Sequence, residues 1–338
     1  MKEKRPTITD VAALAGVSIK SASRVLNDQP GVSEEKRERV RAAIHQLQYV
    51  PNPVVQGIRG KSSVVGLVVG ELDDYVGQIV RGISQVAHQM HYSLVLYTEY
   101  PVEDDMDNMF PLIGSGLICG LLMVIPRHHE TLIDLCDKRG LPYVLIDYYQ
   151  DDSPRHDVPT ITVTNRNGVL DAMRHLLALG HRDIGFITGM LKMASARERF
   201  QGYKDGLAEL GIPFDPSLVA ETHEFPYDAI ASTQKLLQRD PRPTAIIAWD
   251  DLTAIHTMSV IRAQGLEVGT DISLVGFDDI PAAALVYPAL TTIRQPMVAM
   301  GEASMEMLAA LLNGITTKNI HREFPTELII RESTKPPK

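Results

Sequence analysis

The chain has 338 residues, 44% of them hydrophobic and 22% charged, with a formal net charge of −9. That length exceeds one ordinary core and suits two or three globular domains. No apolar run reaches the roughly eighteen residues of a membrane span. The first residues lead into no apolar signal segment, and the two cysteines form neither a disulfide framework nor a zinc spacing, so a cytoplasmic protein is expected.

The acidic total hides an asymmetry. Residues 1–61 carry eleven Lys/Arg against six Asp/Glu, about +5, which leaves about −14 for the rest. A small basic module on a large acidic body points to a polyanion partner for the module alone.

Within that module, residues 7–27 predict two short helices. Thr9 is a candidate N-cap, with Val11, Leu14 and Ala15 at helical spacing behind it. Gly16 suits a left-handed stop, and Ser18 can cap a second helix that turns Ala22, Val25 and Leu26 inward. Two helices across a Gly-containing turn make a helix-turn-helix, in which the start of the second helix enters the major groove. That start offers Ser18, Ile19, Lys20 and Ser23, with Arg24 a turn on. Lys and Arg can donate to guanine, and an aliphatic side chain can meet a thymine methyl. A plain helical hairpin is the competing reading of these residues. Ser33 then caps a third helix, acidic in its first turn, whose stripe Val40, Ala43, Ile44 and Leu47 closes a three-helix core.

Residues 51–61 follow as hinge or linker. Asn52 can cap and Pro53 fits a first helical position, but the β-branched turn with Gly57 is marginal as an isolated helix. It reads equally as a segment that folds only on a partner and as a plain linker. Gly57, Gly60, Lys61 and Ser62 do not make a phosphate loop, because only two residues separate the glycines and a strand follows.

From residue 64 the pattern alternates. Apolar, β-branched strands are predicted at 64–69, 93–98, 120–125, 143–146, 161–164, 183–188, 245–248 and 274–277. A helical stretch ends near Met90, and further helices fall at 166–179, 196–210, 229–237 and 252–264. Such alternation means parallel sheets covered on both faces. There are more strands than one sheet comfortably holds, so two Rossmann-like halves with a cleft between them are expected. Ligands in such sheets lie at the carboxyl ends of the strands. Glu71, Asp73 and Asp74, then Asp147, Asp250 with Asp251, and Asp278 with Asp279 occupy those ends. Carboxylates and an arginine with stacking aromatics are how sugar hydroxyls are gripped. Each aspartate alone reads more simply as a helix cap, Asp251 especially, and it is their concentration that points to a site. His128-His129-Glu130 lacks further metal ligands, and Met297, Met300, Met305 and Met307 read as core or subunit contact.

The order of motifs resembles the lactose/galactose repressor (LacI/GalR) family from Thr7 to Thr334. The match rests on Thr9-Asp10-Val11-Ala12, Ala15-Gly16-Val17-Ser18, Ser23-Arg24-Val25-Leu26-Asn27, Tyr49-Val50-Pro51-Asn52, Leu179-Gly180-His181-Arg182-Asp183-Ile184, Arg197-Glu198-Arg199-Phe200-Gln201-Gly202-Tyr203, the run from Asp271 to Asp279, the run from Pro288 to Pro296, and Leu328 to Thr334. The resemblance implies an α-helical N-terminal helix-turn-helix headpiece (1–50), a hinge (51–61) and a periplasmic-binding-protein-like α/β core (62–334). The core's two Rossmann-like subdomains would be 62–160 with 292–322, and 161–291 with 323–334.

It further implies a homodimer on a pseudo-palindromic operator. Ile19, Lys20 and Arg24 would read bases, while Thr7, Ser18, Ser23 and Asn27 hold phosphates or orient the helix, with Tyr49 and Asn52 in the same interface. Val55 and Ile58 stand where the family's hinge helix has Ala and its minor-groove wedge, usually Leu. In the core the resemblance assigns Arg197 and Asp278 to sugar hydroxyls. Asp250 stands where sugar-binding members often have Asn, Asp147 and Gln295 match further cleft positions, Phe225 a stacking aromatic, and Tyr75 the loop after the first strand. No leucine heptads follow, so no tetramerising tail is expected. The expectation is a transcription regulator, repressor in preference to activator, controlled by a small carbohydrate effector, with no catalytic role, cofactor, metal or membrane. The alternative is a sugar-binding protein without DNA function. Effector, operator, the sign of control and a phosphocarrier corepressor are left open.

Overall fold

A computed structural model describes residues 6–26, 29–49, 62–99, 113–114, 116–126, 128–147, 158–222, 227–315 and 321–338. The chain forms two compact units, one of residues 1–63 with 110–118 and the other of the remainder.

The first unit is built on α1 (Ile8–Ala15), α2 (Ile19–Leu26) and α3 (Glu34–Gln46). Its core is Val11, Ala12, Ala15, Ala22, Val25, Val40 and Ala43, with Ile44, Leu47 and Tyr49 packed against it. Two expectations are corrected here. Thr7, not Thr9, caps α1: its amide and its hydroxyl both donate to Oδ2 of Asp10, at 2.7 and 2.6 Å. Asp10 sits three residues on, the spacing of a capping box, so the acidic partner fixes where the helix begins. Starting the helix there turns Leu14 away from the core, 47% exposed, while Val11 and Ala15 face inward. Gly16 closes α1 at φ 63°, in the left-handed region that its missing Cβ permits.

The second unit holds two six-stranded sheets. The first contains β1 (Val64–Val69), β2 (Ser93–Thr98), β3 (Gly120–Val124), β4 (Tyr143–Ile146), β5 (Thr160–Val163) and a late strand, β11 (His321–Phe324). Their order is β11-β5-β4-β3-β1-β2, all parallel. The second contains β6 (Ile184–Thr188), β7 (Val219–Glu221), β8 (Ala245–Ala248), β9 (Ser273–Asp278), β10 (Thr291–Arg294) and β12 (Glu327–Ile329). Their order is β12-β10-β9-β8-β6-β7, with only the edge strand β12 antiparallel.

The helices are α4 (Asp74–Gln89), α5 (His129–Arg139), α6 (Asn165–Ala178), α7 (Ala194–Glu209), α8 (Tyr227–Leu237), α9 (Asp251–Ala263) and α10 (Met297–Leu312). β1, β3, β6 and β8 are buried along their whole length, as strands covered on both faces must be. The chain crosses from the first sheet to the second after Val163, returns after Arg294, and crosses again after Phe324. These crossings lie a few residues beyond the expected 160/161, 291/292 and 322/323, because β5, β10 and β11 finish their pairing before the backbone leaves. The methionine-rich α10 packs in the first lobe's core through Met297, Met300, Met305 and Met307. Among the described residues no helix is long and apolar enough to cross a membrane.

Candidate functional site

Two sites are built, one in each unit. In the headpiece, Ser18 starts α2 by accepting from the amide of Ser21 at 3.1 Å. With Ala22 and Val25 buried, the helical period places Ile19, Lys20, Ser23 and Arg24 together on the opposite face. Ile19 is 46% exposed, Lys20 is exposed, and Ser23 and Arg24 are half-buried. Thr7 is exposed but serves α1 as its cap, and Tyr49 packs against the three-helix core. Asn27, Asn52, Val55 and Ile58 lie outside the described residues.

In the core, a cavity of about 170 Å³ opens where the carboxyl ends of both sheets face each other. Glu71, Asp73 and Tyr75 follow β1, Asp147 follows β4, Trp249 and Asp250 follow β8, and Asp278 ends β9. Met190, Met193, Ile125 and Leu252 supply apolar wall. Two of the aspartates do double work. Asp73 caps α4 through the amide of Val76 at 2.8 Å, and Asp250 caps α9 through that of Thr253 at 2.6 Å. Asp250 is therefore the cap expected of Asp251. Asp251 is fully buried behind it and accepts from the amide of Ile280 at 2.9 Å and from the Thr292 hydroxyl.

The arginine of the cleft is Arg199, not Arg197. Residues two apart on a helix point about 200° apart, so only one of the pair can face the ligand. Arg199 is 3% exposed. Its Nε donates to Oδ1 of Asn165 at 2.9 Å and its Nη1 to the Trp249 carbonyl at 2.6 Å. Its guanidinium lies 3.6 Å above the Phe277 ring and 5.1 Å from that of Trp249, with Nη2 3.8 Å from Oδ1 of Asp278. Arg197 instead donates to the carbonyls of Leu191 and Lys192 at 2.8 and 3.1 Å and borders a separate depression with Thr164, Asn165 and Glu198. Gln295 is buried and stands one layer back, donating from Nε2 to Oδ1 of Asp278 at 2.6 Å. Phe225 lies outside the described residues.

Burial raises the carboxyls of Asp73, Asp250 and Asp278 above the usual aspartate range, and neighbouring carboxylates add to the shift on Asp73 and Asp278. The Tyr75 hydroxyl is raised well above its usual value, first by burial and then by Asp147 and Asp278. Tyr75, Asp147, Asp250 and Asp278 thus line one cavity, together with Glu71 and Asp73 from the strand-end group, while Arg199 and Trp249 enter from the structure. Trp249, which directly follows β8, lies where the strand-end rule points.

A helix-turn-helix on one unit and a polar, strand-end cleft in the other are the two parts of a ligand-responsive, DNA-binding transcription regulator. Residues 7–52 match bacterial regulatory proteins of the lacI family, and residues 173–334 match the periplasmic binding protein-like domain. HTH-type transcriptional regulator CelR of Thermobifida fusca is 31% identical over 98% of this chain and 99% of its own length. The structure of the Lac repressor dimer bound to operator and the anti-inducer ONPF is similar at 30% identity and a TM-score of 0.84, covering 98% of this chain and 100% of that one. That of the CelR–cellobiose complex follows at 32% and 0.74, covering 97% and 100%. The chain belongs to the lacI family of bacterial regulatory proteins.

Proposed function

We propose that the protein represses transcription as a homodimer on a pseudo-palindromic operator, and that a small carbohydrate in the core cleft sets its operator affinity. The observation that carries the effector half is the cleft itself. Four strand ends from two lobes converge on one cavity with Asp147, Asp250, Asp278 and Arg199 in its wall, which is the donor and acceptor set that orients sugar hydroxyls. The cellobiose of the CelR complex supports the same class of ligand.

The DNA half is supported by the α2 face that carries exposed Ile19 and Lys20 beside half-buried Ser23 and Arg24. Ile19, Lys20 and Arg24 read bases, and Thr7, Ser18 and Ser23 fix the helix on the phosphates. Asn27, Tyr49, Asn52, Val55 and Ile58 complete the interface in this reading. The dimer is supported by the bound form of the Lac repressor and by Leu285 and Tyr287, which expose 83% and 81% of their surface on the second lobe. Such a protein works in the cytoplasm, on the nucleoid.

Selection of genomic fragments on the purified dimer at physiological salt, with and without a panel of mono- and disaccharides, tests both halves. A twofold-symmetric site whose affinity changes with one sugar is expected. Equal retention of all fragments under every condition overturns the reading. The coupling is reciprocal, so the operator must shift affinity for that sugar by the same factor.

A further inference from the structure

The cleft is unusually one-signed. Glu71, Asp73, Asp147, Asp250 and Asp278 line it, and Arg199 is the single Lys or Arg among its described lining residues. That arginine is already engaged. Two of its nitrogens serve Asn165 and the Trp249 carbonyl, and its plane is stacked on Phe277. It reaches only Asp278, at 3.8 Å. Carboxylates accept and do not donate, so the wall is rich in acceptors and charge and poor in donors.

A second observation marks the cleft as built for a ligand. The Tyr75 hydroxyl lies in this wall, the side chain is 7% exposed, and its oxygen has no hydrogen-bond partner. A buried polar atom of that kind is ordinarily satisfied by something in the site.

We propose that the effector is a cationic polyol, an amino sugar whose primary ammonium is held by the cleft carboxylates while its hydroxyls reach Tyr75 and Arg199. The proposal rests on the carbohydrate reading above and narrows it. An ammonium brings three donors and a positive charge to a wall of acceptors. A neutral sugar can fill the same hydrogen bonds but brings no charge to offset that of the neighbouring carboxylates. The raised carboxyls of Asp73, Asp250 and Asp278 have burial as their main cause, and the coulombic effect of like neighbours on Asp73 and Asp278 is the repulsion an incoming cation relieves. A metal ion is a poorer fit, since among the described residues no group of three His, Cys, Asp or Glu could hold one.

Trp249 is the chain's only tryptophan and lies in the wall, so its emission reports occupancy of the cleft in the full-length protein. The test titrates matched sets at pH 6.5: glucosamine, N-acetylglucosamine and glucose; the same three in the galacto series; and 2-aminopropane-1,3-diol against glycerol. The ammonium member is expected to half-saturate at a concentration at least about tenfold lower than its neutral parent, the step that one charge-assisted hydrogen bond supplies. The N-acetyl member, uncharged and with a larger substituent on the same carbon, should be the weakest, and the comparison of amine with neutral parent carries the effect of charge. Asp250→Asn keeps a capping oxygen at the start of α9 and should bring the ratio of ammonium to neutral affinity towards one. An unchanged ratio in that variant, or neutral parents that bind as tightly as their amines, overturns the inference and leaves the cleft a sugar site. Silence of Trp249 towards every member overturns the carbohydrate reading as well.

Discussion

Gln295 reaches across from the segment that leaves β10 and donates to Oδ1 of Asp278 at 2.6 Å, while its own amide donates to the Asp278 carbonyl at 3.2 Å. Asp278 needs this hold because its backbone sits at φ 115°, a region that residues with side chains rarely occupy. One glutamine thus ties the return crossing after β10 to the strand end that faces the ligand. Gln295→Leu is expected to lower global stability by about 1–3 kcal/mol, since a buried carboxylate loses its donor, and to weaken the Trp249 response to ligand. Urea denaturation and a fluorescence titration check the two effects separately.

The two arginines of α7 separate cleft from surface. Arg199→Ala removes the cleft's cation and leaves Asn165 and the Trp249 carbonyl without their donor, so the ligand response should vanish. Arg197→Ala breaks bonds to the carbonyls of Leu191 and Lys192, in the loop before the helix and outside the cleft lining, and should shift half-saturation less than about threefold, a change worth under 1 kcal/mol. Equal losses in both variants would return Arg197 to the site.

In the headpiece, Arg24→Ala should weaken specific operator binding by about 1–3 kcal/mol and leave the Trp249 titration unaltered. Gel shifts on specific and scrambled duplexes distinguish base reading from phosphate contact. A loss of the same size on both duplexes assigns Arg24 to the backbone.

Helices α4 and α10 touch backbone to backbone. A Cβ on Gly82 would lie 2.0 Å from the Val298 carbonyl oxygen, and one on Gly301 would lie 2.1 Å from that of Ile79. Either alanine must push the helices apart and should destabilise the core by about 1–3 kcal/mol. Gly77, on the same helix with nothing within 4 Å of its Cβ position, provides the control. Gly77→Ala should stabilise by about 0.5–1 kcal/mol through helix propensity. Thermal unfolding of the three variants decides.

Burial pushes the Asp251 carboxyl up to about 7 from an ordinary 3.8, with the like charges of Asp250 and Asp279 adding to it. Raised in the folded state, the group binds a proton there that the unfolded chain does not bind between pH 3.8 and about 7. Stability linked to this group therefore rises as pH falls through 7, with a slope of at most about 1.4 kcal/mol per pH unit. Asp251→Asn should flatten that slope. Denaturation at pH 6, 7 and 8 in parent and variant measures it.

Much of this was legible in advance. Hydrophobic runs such as Val64–Val69 and Ala245–Ala248 announced buried parallel strands, and the strand-end rule led to Asp147, Asp250 and Asp278. What escaped depended on rotation and reach. The motif Arg197-Glu198-Arg199 contains two arginines, and which of them faces inward is set by where α7 begins against β6. Thr7 and Thr9 are equally good caps by type, and only the partner Asp10 selects the first. Asp250 and Asp251 are adjacent, yet one caps α9 at the rim of the cleft while the other is fixed from below by Ile280 and Thr292 on different segments. The short strands β7, β11 and β12 carry too little periodicity to read, being edges whose pairing is chosen by the sheet they join.

Neither lobe of the core is one continuous stretch of chain. The first lobe receives its central helix, α10, and its edge strand, β11, only after the second lobe's strands up to β10 have been made. On the ribosome, the lobe whose synthesis starts first therefore lacks α10 and β11 until residues 297–324 have emerged, and a single cut between the lobes would part it from both elements.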